Sequence, residues 1–185
     1  MNLPNILTFS RILLIPVFVV AFYLPVEWRY HGAAIIFFIA GATDWLDGYL
    51  ARLWNQSTPF GAFLDPVADK LMVAIALMVL IDEHHSMWLT IPSSIIVGRE
   101  IVISALREWM AEMGKRASVA VSYIGKVKTF CQMLAIFVLL GNEPQTTFSY
   151  VGLVLLYIAA ILTLWSMTMY LKAAWPDLDP FQNNK

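Results

Sequence analysis

Cysteine and charge are scarce in this 185-residue sequence. A lone cysteine, Cys131, excludes an internal disulfide, and within an apolar run it reads as a small packing residue. Charged residues make up 14%, against about a quarter in an ordinary soluble domain, and 59% of residues are hydrophobic. With a mean hydropathy of +0.69, such a chain is not expected to fold in water. No repeat, low-complexity tract or linker interrupts it, and the polar stretch Asp177 to Lys185 reads as a frayed end. The net charge of −1 hides a sided distribution and gives no basis for a nucleic-acid partner.

What is present is a succession of apolar runs of membrane length. A bilayer core needs about 20 mostly apolar residues per helix, and six stretches qualify, roughly 6–25, 32–53, 63–82, 88–109, 120–140 and 148–171. The expectation is an all-α polytopic membrane protein, six transmembrane helices forming a single domain over 1–185. The first run has no small-residue cleavage site and is followed by further spans, so it reads as retained and not as a signal peptide. Lys and Arg are absent from Asp82–His85 and Gly141–Pro144, and Pro25 to His31 contains only Arg29. Arg52, Lys115, Arg116, Lys126, Lys128, Lys172 and Lys185 gather on the opposite side, which by the positive-inside rule is cytosolic, as are both termini. Trp28, Trp54, Trp88 and Trp175 fall at run ends, where indoles anchor at headgroup level. His84 and His85 lie on the expected outer face beside Asp82 and Glu83, away from the acids discussed next.

Four aspartates stand out against this background: Asp44 and Asp47 in one run, Asp65 and Asp69 in the next. Acids at membrane depth cost several kcal/mol each unless something compensates them. On a helix Asp44 and Asp47 stand about 60° apart and Asp65 and Asp69 about 40° apart, so each pair shares a face. Lys70 and Arg52 could pair with two of them, but four acids against two bases leave an excess of negative charge that calls for a cation. Carboxylates select hard divalent ions such as Mg²⁺ or Mn²⁺, which in turn hold phosphates. Gly48 and Gly61 leave room for a ligand to approach the backbone, and Arg52, near the membrane surface, suits a phosphate or nucleotide.

These residues fit D-x2-D-G-x2-A-R-x8-G-x3-D-x3-D at every fixed position: Asp44, Asp47, Gly48, Ala51, Arg52, Gly61, Asp65 and Asp69. The pattern resembles that of the CDP-alcohol phosphatidyltransferase family. The start Pro4-Asn5-Ile-Leu-Thr8-Phe-Ser-Arg11, the stretch Arg99 to Glu108 and the run Gly125 to Thr129 are similar to the bacterial branch that makes phosphatidylglycerol phosphate. The resemblance implies a six-helix bundle, usually a homodimer, with a polar cavity open to the cytosol of the bacterial inner membrane. It implies that Asp44, Asp47, Asp65 and Asp69 bind two divalent ions, Mg²⁺ or Mn²⁺, and that Asp69 is also the general base. It implies that Gly48 and Arg52 contact the CDP head group, with Gly61, Thr58, Asn5 and Thr8 lining the same pocket. The reaction implied is transfer of a phosphatidyl group from CDP-diacylglycerol to the primary hydroxyl of glycerol-3-phosphate, releasing CMP.

Acceptor choice must come from outside that pattern. Glycerol-3-phosphate is a dianion, and Arg99, Arg107, Lys126 and Lys128 are the natural residues to hold it. Lys115 and Arg116, beside Gly114, read instead as loop anchors. Arg107 stands about 20° from Glu100 around a helix, so these two could share one face. Three alternatives keep the acids. One is the same chemistry with serine or inositol phosphate as acceptor. A membrane prenyltransferase would not require Gly48, Ala51, Arg52 and Gly61 in this register. A divalent-cation transporter would place its acids near the midplane with access from both sides.

Overall fold

The computed structural model describes residues 3–53, 59–113 and 123–178, all of them helix or short connection. Six helices follow one another: α1 (Leu3–Tyr23), α2 (Arg29–Leu53), α3 (Pro59–His84), α4 (Met87–Glu112), α5 (Tyr123–Leu140) and α6 (Thr147–Leu178). Each expected apolar run therefore becomes one helix, and no strand occurs among the described residues. The helices run from 18 to 32 residues, or about 27–48 Å at the α-helical rise, against a hydrocarbon core of about 30 Å. Met87–Glu112 and Thr147–Lys172 are long and apolar enough to cross a bilayer by that criterion alone.

Boundaries follow from local chemistry. Thr146 caps α6 by accepting the Ser149 N–H on Oγ1 at 3.2 Å. Past the end of α5 the Asn142 side-chain amide donates to the Val138 carbonyl at 2.8 Å, covering an acceptor that the helix leaves open. His85 adopts a positive φ of 45° in the two-residue link between α3 and α4, and Gln145 one of 67° before α6.

The core is apolar and assembled from every helix, with Phe18, Phe22, Phe37, Leu77, Leu80, Ile96, Ile136, Leu139 and Leu156 fully buried. α5 packs on α6 closely enough that a Cβ on Gly152 would lie 2.8 Å from the Leu139 Cγ and 3.3 Å from its backbone nitrogen. A small residue is what permits that approach. The outer surface is apolar too: Phe38, Phe63, Ile101, Phe130, Phe148 and Ile161 are all exposed. In water so many exposed large apolar side chains would be adverse, whereas lipid accepts them. Trp28, Trp88 and Trp175 are exposed at helix ends, as expected of interfacial anchors, and Trp54 lies outside the described residues.

Polar side chains collect at the two ends of the bundle. At the end holding the α3–α4 link, Glu83 accepts from Arg29 at 2.7 Å and from Tyr30 at 2.6 Å, while Tyr23 donates to Asp82 at 2.7 Å. These bonds tie α1, α2 and α3 together. His84 contacts the Leu80 carbonyl at 3.0 Å and Ser149 Oγ at 3.1 Å, so it links α3 to α6 and forms no metal cluster among the described residues. The acids of the sequence pattern belong to the opposite end.

Candidate active site

One acid from each of two pairs is brought to the beginning of α1. Asp44 and Asp47 both belong to the second half of α2, and Asp65 and Asp69 to the first half of α3, so each pair shares a helix as its spacing requires. Arg11, 1% exposed, donates from Nη1 to Asp44 Oδ1 at 2.5 Å. A guanidinium so far from water demands a carboxylate partner, and Asp44 supplies it. One helical turn earlier, Thr8 donates from Oγ1 to Asp65 Oδ1 at 2.5 Å. The first turns of α1 thus hold one acid from each pair.

Asp69 is placed differently. It is exposed, and the charges of Asp44, Arg11, Glu100 and Lys70 act on it. Among the described residues it takes part in no hydrogen bond or ion pair, so its oxygens are not committed to holding the fold. Its neighbour Lys70 donates to Ser104 Oγ at 2.5 Å, and Ser104 donates to the Glu100 carbonyl, joining α3 to α4. Lys70 of α3 and Glu100, Ser104, Arg107 and Glu108 of α4 line a groove of about 780 Å³ between these two helices, whose remaining lining is apolar. Glu100 and Arg107 therefore share a face, as their spacing predicts.

The donor set suits a hard divalent ion. Asp44, Asp65 and Asp69 offer carboxylate oxygens only, and the charge of Asp44 acts on Asp69. Arg11 engages one oxygen of Asp44, leaving the second for another ligand. No three acids converge on one point among the described residues. Asn5, Asp47, Gly48, Arg52 and Lys126 are described by helix position alone: Asn5 in α1, Asp47, Gly48 and Arg52 in α2, Lys126 in α5. Gly61 is buried in the first turn of α3. Thr58 lies outside the described residues, as do Lys115 and Arg116.

The basic residues expected to hold an acceptor form a second cluster. Lys128 and Arg99 both donate to Glu100 Oε1, at 2.7 Å and 2.9 Å. Arg99 also donates to Ser166 Oγ on α6 at 3.0 Å. Arg107 donates to the Tyr170 hydroxyl at 2.7 Å and lies 5.0 Å from the centre of its ring. Arg99, Arg107 and Lys128 are thus gathered by α4, α5 and α6.

Arg11, Glu100, Ser166 and Tyr170 are additions that sequence reasoning did not assign to the site. Arg11 carried a usable signal, a full charge inside an apolar run three residues after Thr8. Ser166 and Tyr170 carried none, since hydroxyls are common in membrane helices.

Residues 1–165 match the sequence profile of the CDP-alcohol phosphatidyltransferase family. The chain is 59% identical over 177 residues to the CDP-diacylglycerol–glycerol-3-phosphate 3-phosphatidyltransferase of Escherichia coli, covering 96% of this chain and 97% of that relative. Proteins of the same name from Shigella flexneri and Shigella boydii match at the same 59% identity and coverage.

Proposed function

The chain belongs to the CDP-alcohol phosphatidyltransferase family, and on that premise we propose that it transfers the phosphatidyl group of CDP-diacylglycerol to the primary hydroxyl of glycerol-3-phosphate, giving phosphatidylglycerol phosphate and CMP. Near-full-length identity to transferases named for this reaction is the observation that carries the reading. It acts as a six-span protein of the bacterial inner membrane and as a homodimer, with both termini and the acid site cytosolic. The apolar outer surface and the sided basic residues support the membrane placement and orientation.

Each group then has a task. Asp44, Asp47, Asp65 and Asp69 hold two divalent ions, Mg²⁺ or Mn²⁺, which when bound supply positive charge to the pyrophosphate and to the departing CMP oxygen. Arg11 and Thr8 keep Asp44 and Asp65 oriented. Gly48 and Arg52 receive the CDP head group, with Gly61, Thr58, Asn5 and Thr8 around it. Arg99, Arg107, Lys126 and Lys128 take the phosphate of the acceptor, leaving its primary hydroxyl to face Asp69. Asp69 accepts the hydroxyl proton as the oxygen attacks the lipid-side phosphorus. The bond from that phosphorus to the CMP oxygen breaks in the same displacement, with inversion.

An acceptor panel tests the reading. Purified protein with CDP-diacylglycerol is offered glycerol-3-phosphate, serine, inositol phosphate or choline, and CMP release is measured. Only glycerol-3-phosphate should support rapid release. A different preferred alcohol would keep the chemistry and change the substrate; pyrophosphate as product would indicate prenyl transfer, and no product at all would leave cation transport.

The two pockets separate by kinetics. Arg107→Gln or Lys126→Gln removes a charge-assisted contact worth roughly 1.5–3 kcal/mol, so the KM for glycerol-3-phosphate should rise about tenfold or more. Arg52→Gln should instead raise the KM for CDP-diacylglycerol. If Arg107→Gln and Lys126→Gln alter only the lipid constant, the acceptor site lies elsewhere. Detergent-phase gel filtration checks that each variant remains folded.

A further inference from the structure

Lys128 and Arg99 meet at a single carboxylate oxygen, Glu100 Oε1. Lys128 is buried and Glu100 and Arg99 are half-buried, so screening by water is weak and two like charges converging there would repel one another without an anion between them. Glu100 is the only carboxylate within ion-pair distance of either cation among the described residues. The Nε of Arg99 is buried without a hydrogen-bond partner among them, although its two terminal nitrogens are engaged with Glu100 and Ser166. A largely buried guanidinium held by two partners, with its Nε–H left without an acceptor, is prepared for a further one.

Glu100 is also tied toward the acids. Its carbonyl accepts from Ser104, which accepts from Lys70, the residue after Asp69. Its carboxylate reaches α5 through Lys128 and, by way of Arg99, α6 at Ser166. One residue of α4 therefore relates two phosphate-binding candidates to the helix that carries Asp69.

We propose that Glu100 is a positioning residue for the acceptor: its carboxylate holds Arg99 and Lys128 together so that they receive a phosphate monoester dianion at a set distance from Asp69. This rests on the reading of Arg99 and Lys128 as the acceptor-phosphate site. Glu100 touches no reacting atom; it acts through the two cations. Without its charge the cations separate, and the phosphate loses a paired contact while the CDP-lipid pocket is untouched.

The experiment compares Glu100→Gln, Glu100→Asp, Lys128→Gln and the double variant Glu100→Gln/Lys128→Gln, with both Michaelis constants and the thermal midpoint measured in detergent. Glu100→Gln should raise the glycerol-3-phosphate KM about tenfold, the size of a lost charge-assisted contact, and change the CDP-diacylglycerol KM less than twofold. Glu100→Asp, which keeps the charge, should lie between wild type and Glu100→Gln. The double variant should lose less than the product of the single effects, because the two residues act together.

If Lys128→Gln raises the acceptor KM and Glu100→Gln does not, the acceptor site stands and the positioning role is wrong. If neither moves it, the acceptor site itself is misplaced and the inference falls with it. Multiplicative effects in the double variant, or equal rises in both constants with a lowered thermal midpoint, would make the Glu100 contacts structural only. Should Glu100→Gln fail to fold, Glu100→Asp decides: an acceptor KM at the wild-type value in a correctly folded protein would overturn the proposal, because the shorter side chain must displace at least one cation.

Discussion

Asp69→Asn should lower turnover by about 10²–10⁴-fold, the usual loss when a positioned base is removed, while CDP-diacylglycerol still binds. Of Asp44, Asp65 and Asp69, it is Asp69 whose oxygens carry no hydrogen bond or ion pair among the described residues; Asp44 is held by Arg11 and Asp65 by Thr8. A carboxylate already accepting a strong hydrogen bond is a poorer proton acceptor, so the free one suits a base. Asparagine keeps a carbonyl oxygen able to meet a cation and removes the capacity to take a proton. Binding and turnover should therefore part company. The check is a single-turnover measurement of CMP release beside equilibrium binding of the lipid; activity within a few-fold of wild type would take Asp69 out of this role.

Removal of divalent metal should have an equally large effect. EDTA is expected to reduce CMP release to background, and added Mg²⁺ or Mn²⁺ to restore it. The charge of Asp44 acts on Asp69, and Arg11 compensates only part of the negative charge that the acids bring. Bringing a pyrophosphate to such a place without further cations sets anion against anion. Ca²⁺ should occupy the acids and support little turnover, because its larger and looser coordination does not hold the phosphate in line for attack. Full activity in chelator would contradict a metal-assisted displacement, and full activity with Ca²⁺ would contradict the geometric selectivity.

The positions of the helices were legible from composition and run length alone, since a stretch of about 20 apolar residues has few alternatives in a bilayer. The pairing of Asp44 with Asp47 and of Asp65 with Asp69 was equally legible, because helical periodicity is a local property. The same holds for Glu100 and Arg107, which line one groove. Periodicity says nothing about which other helix a face will meet. The acceptor cations illustrate the difference: Arg99 and Lys128 were recognisable as basic residues in apolar runs, but their convergence on Glu100 was not.

The amino-acid sequence by itself therefore determined the helical class, the membrane-length runs and the grouping of acids within α2 and within α3, all set by rise and rotation per residue along one segment. Only the tertiary structure decided that Arg11 answers Asp44 across 33 residues, Thr8 meets Asp65 across 57, Lys128 meets Glu100 across 28 and Arg107 meets Tyr170 across 63. The partner of a buried charge depends on how whole helices pack and rotate against one another, and that is settled by the summed fit of side chains such as Phe18, Phe37, Leu77 and Ile136 in the shared core, not by the residues beside the charge in the chain.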